Sequence, residues 1–374
     1  MPPTFRRIEA VEKAQGAHSI LYVEKNLENN LLTPENIQNI FEQLETHIVP
    51  KEEEIFALLP KVINPDQRVQ VLLTNLGSYQ GYRFDGHFNP FDQMKEEIAW
   101  SENQQHSNEA NIIYIDPTNA RSLSSILAVI AHELQHLLAH HAYPGSVPLE
   151  QDSWLSETQA EAAMLFTGFF DDQNKMPYFS THTNELPLVS KTYVQYGPQI
   201  LFASFLIDSF DPHGGFSLLL KQRQIGREAV ETLVEKLSSR VIPFDVIFSN
   251  FISYIFETSE KSFTLPVKWH RKDEGKGIVI PKLKRVGTVE KFPFRAKSKI
   301  APYGFALFDT PVGLPADAEV ILKPLNFKAH RVCQEKGKLL WKPLRNALAV
   351  YFVGCEYKSK EDIIDFEISV HEKP

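Results

Sequence analysis

The sequence predicts an α+β protein, with helices and a few strands up to about residue 260 and a β-rich, sandwich-like segment after it. Three observations carry this expectation. Apolar residues recur at helical spacing through long stretches of the first part. Between them stand short runs rich in Val and Ile, "VQVLLTNL" and "ANIIYID". Beyond residue 260 come "GIVIPKL", "GFALFDT", "AEVILKPL", "NALAVYFVG" and "DIIDFEISV", punctuated by Pro and Gly. With 374 residues the chain exceeds one ordinary core. It divides into an N-terminal α/β part at 1–120, a helical part at 121–261 and the β-rich segment at 262–374. The main boundary falls near Ser262 to Trp269.

Taken in order, "LLTPENIQNIFEQLETHIVPKEEEIFALL" has apolar positions at helical spacing, with Thr33 suited to an N-cap and Pro34 to a first turn. Val69 to Leu76 and Ala110 to Asp116 read as strands. Between them, "GYRFDGHFNPFDQM" reads as a turn-rich connection. Leu123, Leu127, Ile130, Leu134, Leu137 and Leu138 form one stripe of an amphipathic helix that Ser122 or Ser124 can cap and Pro144-Gly145 ends. No internal repeat or low-complexity segment appears.

Composition bounds the function. The chain is 43% hydrophobic and 23% charged, with a net charge of -8. Such a balance excludes nucleic acid as the main partner, which needs a basic surface. Residues 261–300 run against it, with twelve Lys or Arg and three Asp or Glu, and read as a solvated face. No apolar run is long enough to span a membrane. "MPPTFRRIEAVEKAQ" lacks the apolar stretch of a signal peptide. The expectation is therefore a cytoplasmic protein if the chain is complete, and an exported one if a leader was removed. Nothing in the sequence points to a particular oligomeric state. Cys333 and Cys355 sit in apolar, strand-like settings and read as two buried thiols, with a single bridge as the alternative.

"AHELQHLLAHH", residues 131–141, carries the chemistry. His132, Glu133 and His136 fit H-E-x-x-H on a helix. Residues four apart lie one turn above each other, so two imidazoles converge on one Zn²⁺. Glu133, one residue on, stands beside the ion and can take a proton from a zinc-bound water. His140 and His141 extend the same run without partners and read as surface or supporting residues. Catalytic zinc takes three protein ligands. Downstream, "DSWLSETQAEAAMLFTG" is helical, with Ser153 or Ser156 as a possible cap, and places Glu157 and Glu161 one turn apart. One carboxylate can bind the metal while the other accepts the free N–H of a ligating histidine. Glu157 is the favoured ligand.

"HELQH" followed by "WLSETQAEAA" resembles the gluzincins, zinc metallopeptidases whose third ligand is a glutamate, and is most similar to the hyicolysin-like peptidase family. "RVQVLLTNL", "GYRFDGHFNPFD" and "SNEANIIYIDP" resemble the segments before the motif helix. "YGPQILFASFLIDSF" and "PFDVIFSNFISYIF" resemble the helices after it. The likeness covers roughly residues 19–258. Ser156 replaces the Asn that family members often carry before the glutamate. The resemblance implies a thermolysin-like peptidase domain, with an N-terminal sheet and a helical lobe. It implies one zinc per chain held by His132, His136 and Glu157, Glu133 as general base, and Glu161 orienting a zinc histidine.

Related gluzincins stabilise the oxyanion with a tyrosine that opens a later helix. Here this implies Tyr196, with Tyr193 as the alternative; His182 is a weaker donor candidate. The strand at Ala110–Asp116, through Ile113 and Tyr114, is expected to be the sheet edge on which a peptide or protein substrate pairs. The expected activity is that of a metalloendopeptidase. Two alternatives stand beside it. One is an inactive zinc-binding scaffold or interaction protein. The other is an aminopeptidase in which Glu109 binds the substrate's amino terminus.

Overall fold

Val- and Ile-rich runs of the first part build one sheet. The computed structural model describes residues 5–56, 66–79, 82–142, 153–169, 175–190, 197–210, 216, 218–219, 225–260, 264–265, 278–279, 281–310, 314, 318–326 and 336–372. The strands are β1 (Ala10–Gln15), β2 (Ser19–Glu24), β3 (Val69–Leu73), the small hairpin β4 (Ser78–Tyr79) and β5 (Tyr82–Arg83), then β6 (Gly86–Phe88) and β7 (Asn111–Ile115). The sheet order is β1-β2-β3-β7-β6. The three central strands are parallel, and the two outer ones antiparallel to their neighbours. One face, with Val69, Val71, Leu73, Ile113 and Ile115, joins the main core; Leu72 and Ile112 form a small cluster on the other. Burial on both faces explains why "VQVLL" and "NIIYI" are nearly continuous apolar runs.

Two expectations change here. Ile113 and Tyr114 lie on β7, which is paired on both sides by β3 and β6. The edge is β6, three residues inside the stretch that reads as turn-rich. So short a strand, built from Gly86, His87 and Phe88, has too few residues to show an alternation.

The helices are α1 (Pro34–Gln43), α2 (Val49–Ile55), α3 (Glu96–Asn103), α4 (Leu123–Ala142), α5 (Ser153–Thr167), α6 (Lys175–Thr181), α7 (Gly197–Phe210), α8 (Gly226–Ser238) and α9 (Phe244–Glu260). Thr33 caps α1 by accepting the Asn36 N–H at 3.2 Å. A π turn at Leu44–Ile48 links α1 to α2. Pro50 follows it, and a proline inside a helix has no N–H to give and clashes with the preceding turn; the wider π turn absorbs both defects. Among the described residues no helix is long and apolar enough to cross a membrane.

The β-rich segment contains β8 (Thr264–Leu265), β9 (Ile278–Val279), β10 (Gly287–Thr288), β11 (Phe294–Ile300), β12 (Phe305–Asp309), β13 (Ala318–Asn326), β14 (Lys338–Leu344), β15 (Ala347–Val353) and β16 (Ile364–Glu372). The main sheets are β10-β12-β15-β14 and β11-β16-β13. Their facing residues, among them Phe308, Val350, Phe352, Phe366 and Ile368, form a second core. The other face of the first sheet, with Phe305, Leu307, Ala349, Tyr351 and Val353, belongs to the main core beside Phe248 of α9. Hence "ALAVYFV" is buried at every position. Tyr303 pins this junction. Its hydroxyl accepts from Arg227 at 2.7 Å and donates to Asp245 at 2.9 Å, while its carbonyl accepts the Leu188 N–H at 3.1 Å. Most of the boundary stretch from Ser262 to Trp269 lies outside the described residues. Cys355 is buried and disulfide-bonded, so the thiol expectation fails for it; Cys333 lies outside the described residues.

Candidate metal centre

The stripe on α4 does what its spacing suggests. Leu127, Ile130, Leu134, Leu137 and Leu138 are buried, and Ser122 accepts the Ser125 N–H at the helix start at 3.2 Å. Packing α4 against the sheet and α5 turns His132, Glu133 and His136 towards Glu157. His132 Nε2 and His136 Nε2 lie 3.2 Å apart. Glu157 Oε2 stands 3.1 Å from His132 Nε2, and Oε1 3.8 Å from His136 Nε2. Ligand atoms at the corners of a zinc tetrahedron, each about 2.0–2.1 Å from the ion, are about 3.3 Å from one another. The two nitrogens and the nearer carboxylate oxygen come close to that spacing, while the contact to His136 is longer, so the three side chains form a group that could hold a metal ion. Glu157 Oε2 is buried and makes no hydrogen bond of acceptable geometry despite its closeness to His132. A buried carboxylate oxygen without a donor, converging with two ring nitrogens, fits a cation at their centre. This is the group of His, Cys, Asp and Glu side chains suited to a metal among the described residues.

Charge is consistent with that geometry. Burial alone would raise Glu157, but the adjacent His136 and His132 hold it well below the usual carboxylate range. Burial would lower His132, yet Glu157 first, then Glu133 and Glu161, raise it. The carboxylates that favour a positive charge on His132 would also favour a metal cation placed between them and the two rings.

Glu133 lies between α4 and the edge strand. Burial raises its carboxyl above the ordinary value, partly offset by His132, His136 and a hydrogen bond from the Phe88 N–H. The approach depends on Gly86. A Cβ there would meet Val129 Cγ1 at 2.5 Å and Glu133 Cγ and Oε1 at 2.7 Å. Any other residue would push the strand off the helix or Glu133 out of place.

Behind these side chains are Glu161 and Ser156, both named in the sequence, and Lys175, which it did not mark. Glu161 is fully buried, with Oε1 3.6 Å from His132 Nδ1. Lys175 Nζ, from the start of α6, lies 2.5 Å from the same oxygen. Ser156 Oγ stands 3.3 Å from His136 Nδ1. Ser156 reads as a cap in the sequence, and Lys175, fourteen residues from Glu161, has no local pattern to mark it.

Other named residues are elsewhere. Tyr193 and Tyr196 lie outside the described residues, as does the His141 side chain. His140 packs its ring 5.8 Å from Phe88. His182 stacks on Tyr178 at 4.1 Å. Ile113 is a core residue, and Tyr114 donates to the buried Asp92 at 2.7 Å. Glu109 accepts the Glu96 N–H at 3.0 Å, where it caps α3. That bond commits its carboxylate to a helix end.

A comparison of the chain with protein-family models finds no match, and a comparison with curated proteins finds none.

Proposed function

We propose that this protein is a zinc-dependent metallopeptidase of the gluzincin type, with a thermolysin-like arrangement of sheet and helical lobe, acting as an endopeptidase. The observation that carries the reading is the convergence of His132 and His136 of α4 with Glu157 of α5, with Glu133 beside the two histidines on α4. A bound zinc ion supplies Lewis acidity for a peptide carbonyl and acidifies a water. His132, His136 and Glu157 would hold the ion. Glu133 removes the water's proton and carries it to the leaving amine; its raised carboxyl suits it to both steps. The place of β6 as the last strand of the sheet among the described residues fits internal cleavage, because an extended chain lying along it would run past the site in both directions. The engagement of Glu109 with α3 leaves no observation in favour of an aminopeptidase.

The test combines metal content with cleavage. The purified protein is expected to hold about one zinc per chain and to cut casein and a mixed peptide library internally. His136→Ala loses the metal. Glu133→Gln keeps it and loses about 10³-fold in rate. Unchanged zinc in the first variant, or unchanged cleavage in the second, rejects the reading. Zinc without cleavage of any peptide favours a binding scaffold.

A further inference from the structure

We propose that Lys175 is a positioning residue for the metal centre, acting through Glu161 on His132. The inference rests on the reading of His132 as a zinc ligand. Glu161 has no exposure to solvent, and its Oε2 is buried without a hydrogen-bond partner. Its Oε1 is shared, 2.5 Å from Lys175 Nζ and 3.6 Å from His132 Nδ1. A carboxylate removed from water needs a countercharge or it does not keep its charge and rotamer. Lys175 supplies that countercharge from the side away from the ligands.

The charge count points the same way. Glu133, Glu157 and Glu161 crowd three carboxylates around two imidazoles. One divalent cation balances two of them, and the Lys175 ammonium balances the third. The ammonium thus offsets negative charge that a divalent cation alone would leave at a buried site.

Lys175 is held well enough to do this. Met176 and Phe179 of the same short helix are buried in the main core. Gly197, at the start of α7, lets α6 sit close: a Cβ there would meet Phe179 Cβ at 3.0 Å and the Lys175 carbonyl at 3.3 Å. The ammonium therefore reaches Glu161 from a fixed base. His132 is thus backed by a relay of two side chains from α5 and α6. His136 is backed by the Ser156 hydroxyl instead.

Zinc affinity, measured by competition with a chromophoric chelator, tests the proposal without any reference to turnover. Glu161→Gln is expected to weaken zinc binding by about 10–100-fold, the usual cost of losing the partner of a ligating histidine. Lys175→Met is expected to fall in the same range, and Lys175→Arg to recover most of the affinity. The double variant Glu161→Gln/Lys175→Met should be no weaker than either single one, because both remove the same relay. Should Lys175→Met not fold, Lys175→Gln, which keeps a donor without the charge, is expected to show the same loss. Zinc affinity in Lys175→Met or Lys175→Gln within twofold of wild type, beside a loss in Glu161→Gln, overturns the proposal and leaves the metal site standing. Losses that add in the double variant also overturn it, since Lys175 then supports the fold by a separate route. A wild-type protein that binds no zinc rejects the metal site and this proposal together.

Discussion

Glu52 is the residue whose environment departs furthest from its chemistry. It lies on α2, wholly buried, and neither carboxylate oxygen has a hydrogen-bond partner. Burial pushes its carboxyl well above the ordinary value. Its helix packs against both α4 and α5, the two helices that carry His132, His136 and Glu157. A group whose folded value is raised binds its proton more tightly in the folded state. Below pH about 4.5 the side chain is protonated folded and unfolded alike, and no ionisation penalty arises. As pH climbs from there towards the folded value, the unfolded chain ionises freely while the folded one resists, and stability falls. Glu52→Met, of similar volume, is therefore expected to stabilise the protein at pH 7 by about 2 kcal/mol. In urea titrations the gap between variant and wild type should narrow as pH falls towards 4.5. A gap that stays constant with pH shows that the side chain does not titrate in this way.

Among elements, the pair formed by β6 and α4 decides whether Glu133 is aimed correctly. The absence of a side chain at Gly86 lets the strand touch the helix, and the Phe88 N–H holds the carboxylate. Gly86→Ala is expected to retain zinc while losing about 10²-fold in kcat/KM, since a displacement near 1 Å is enough for that loss. Steady-state kinetics beside metal analysis separates the two effects; full activity in the variant shows that the base does not need this contact. The same pair shows how far the sequence is legible. The candidate ligands His132 and His136 follow from one helical repeat, and Glu157 from the next helix, because a metal-binding motif has a spacing that letters display. α4, β3, β7, β12, β13, β15 and β16 are likewise visible as periodic or apolar runs. β6 is not, because three residues carry no period. β11 is hidden for another reason: "FRAKSKI" alternates, but its basic residues make it look like a solvated surface. Lys175 meets Glu161 through tertiary packing alone, which no local pattern encodes.

At the scale of the whole molecule, Tyr303 joins α8 and α9 to the β-rich segment. It is buried with a positive φ of 51°, a conformation that side chains other than Gly, Asn and Asp rarely adopt. Burial, despite the nearby Arg227, keeps its hydroxyl protonated far above the usual range, so it remains a donor to Asp245. Tyr303→Phe keeps the ring contacts with Phe244 and Phe248 but leaves Arg227 and Asp245 without the hydroxyl. The expected cost is about 2 kcal/mol in urea unfolding, with zinc content unchanged. A variant as stable as wild type shows that the two charged side chains pair directly once the hydroxyl is gone.

The sheet containing β12 and β15 is covered on both sides, by helices on one and by a second sheet on the other. This arrangement limits how the chain can be remodelled in evolution or by cloning. A terminal module that touches its neighbour through a polar seam can be lost, exchanged or fused elsewhere with little harm. Here a cut between the parts would bare a row of Phe, Leu, Tyr and Val on one piece and the matching face of α9 on the other. Exposing those apolar rows is costly, so the β-rich segment is expected to need the helices beside it in order to stay folded.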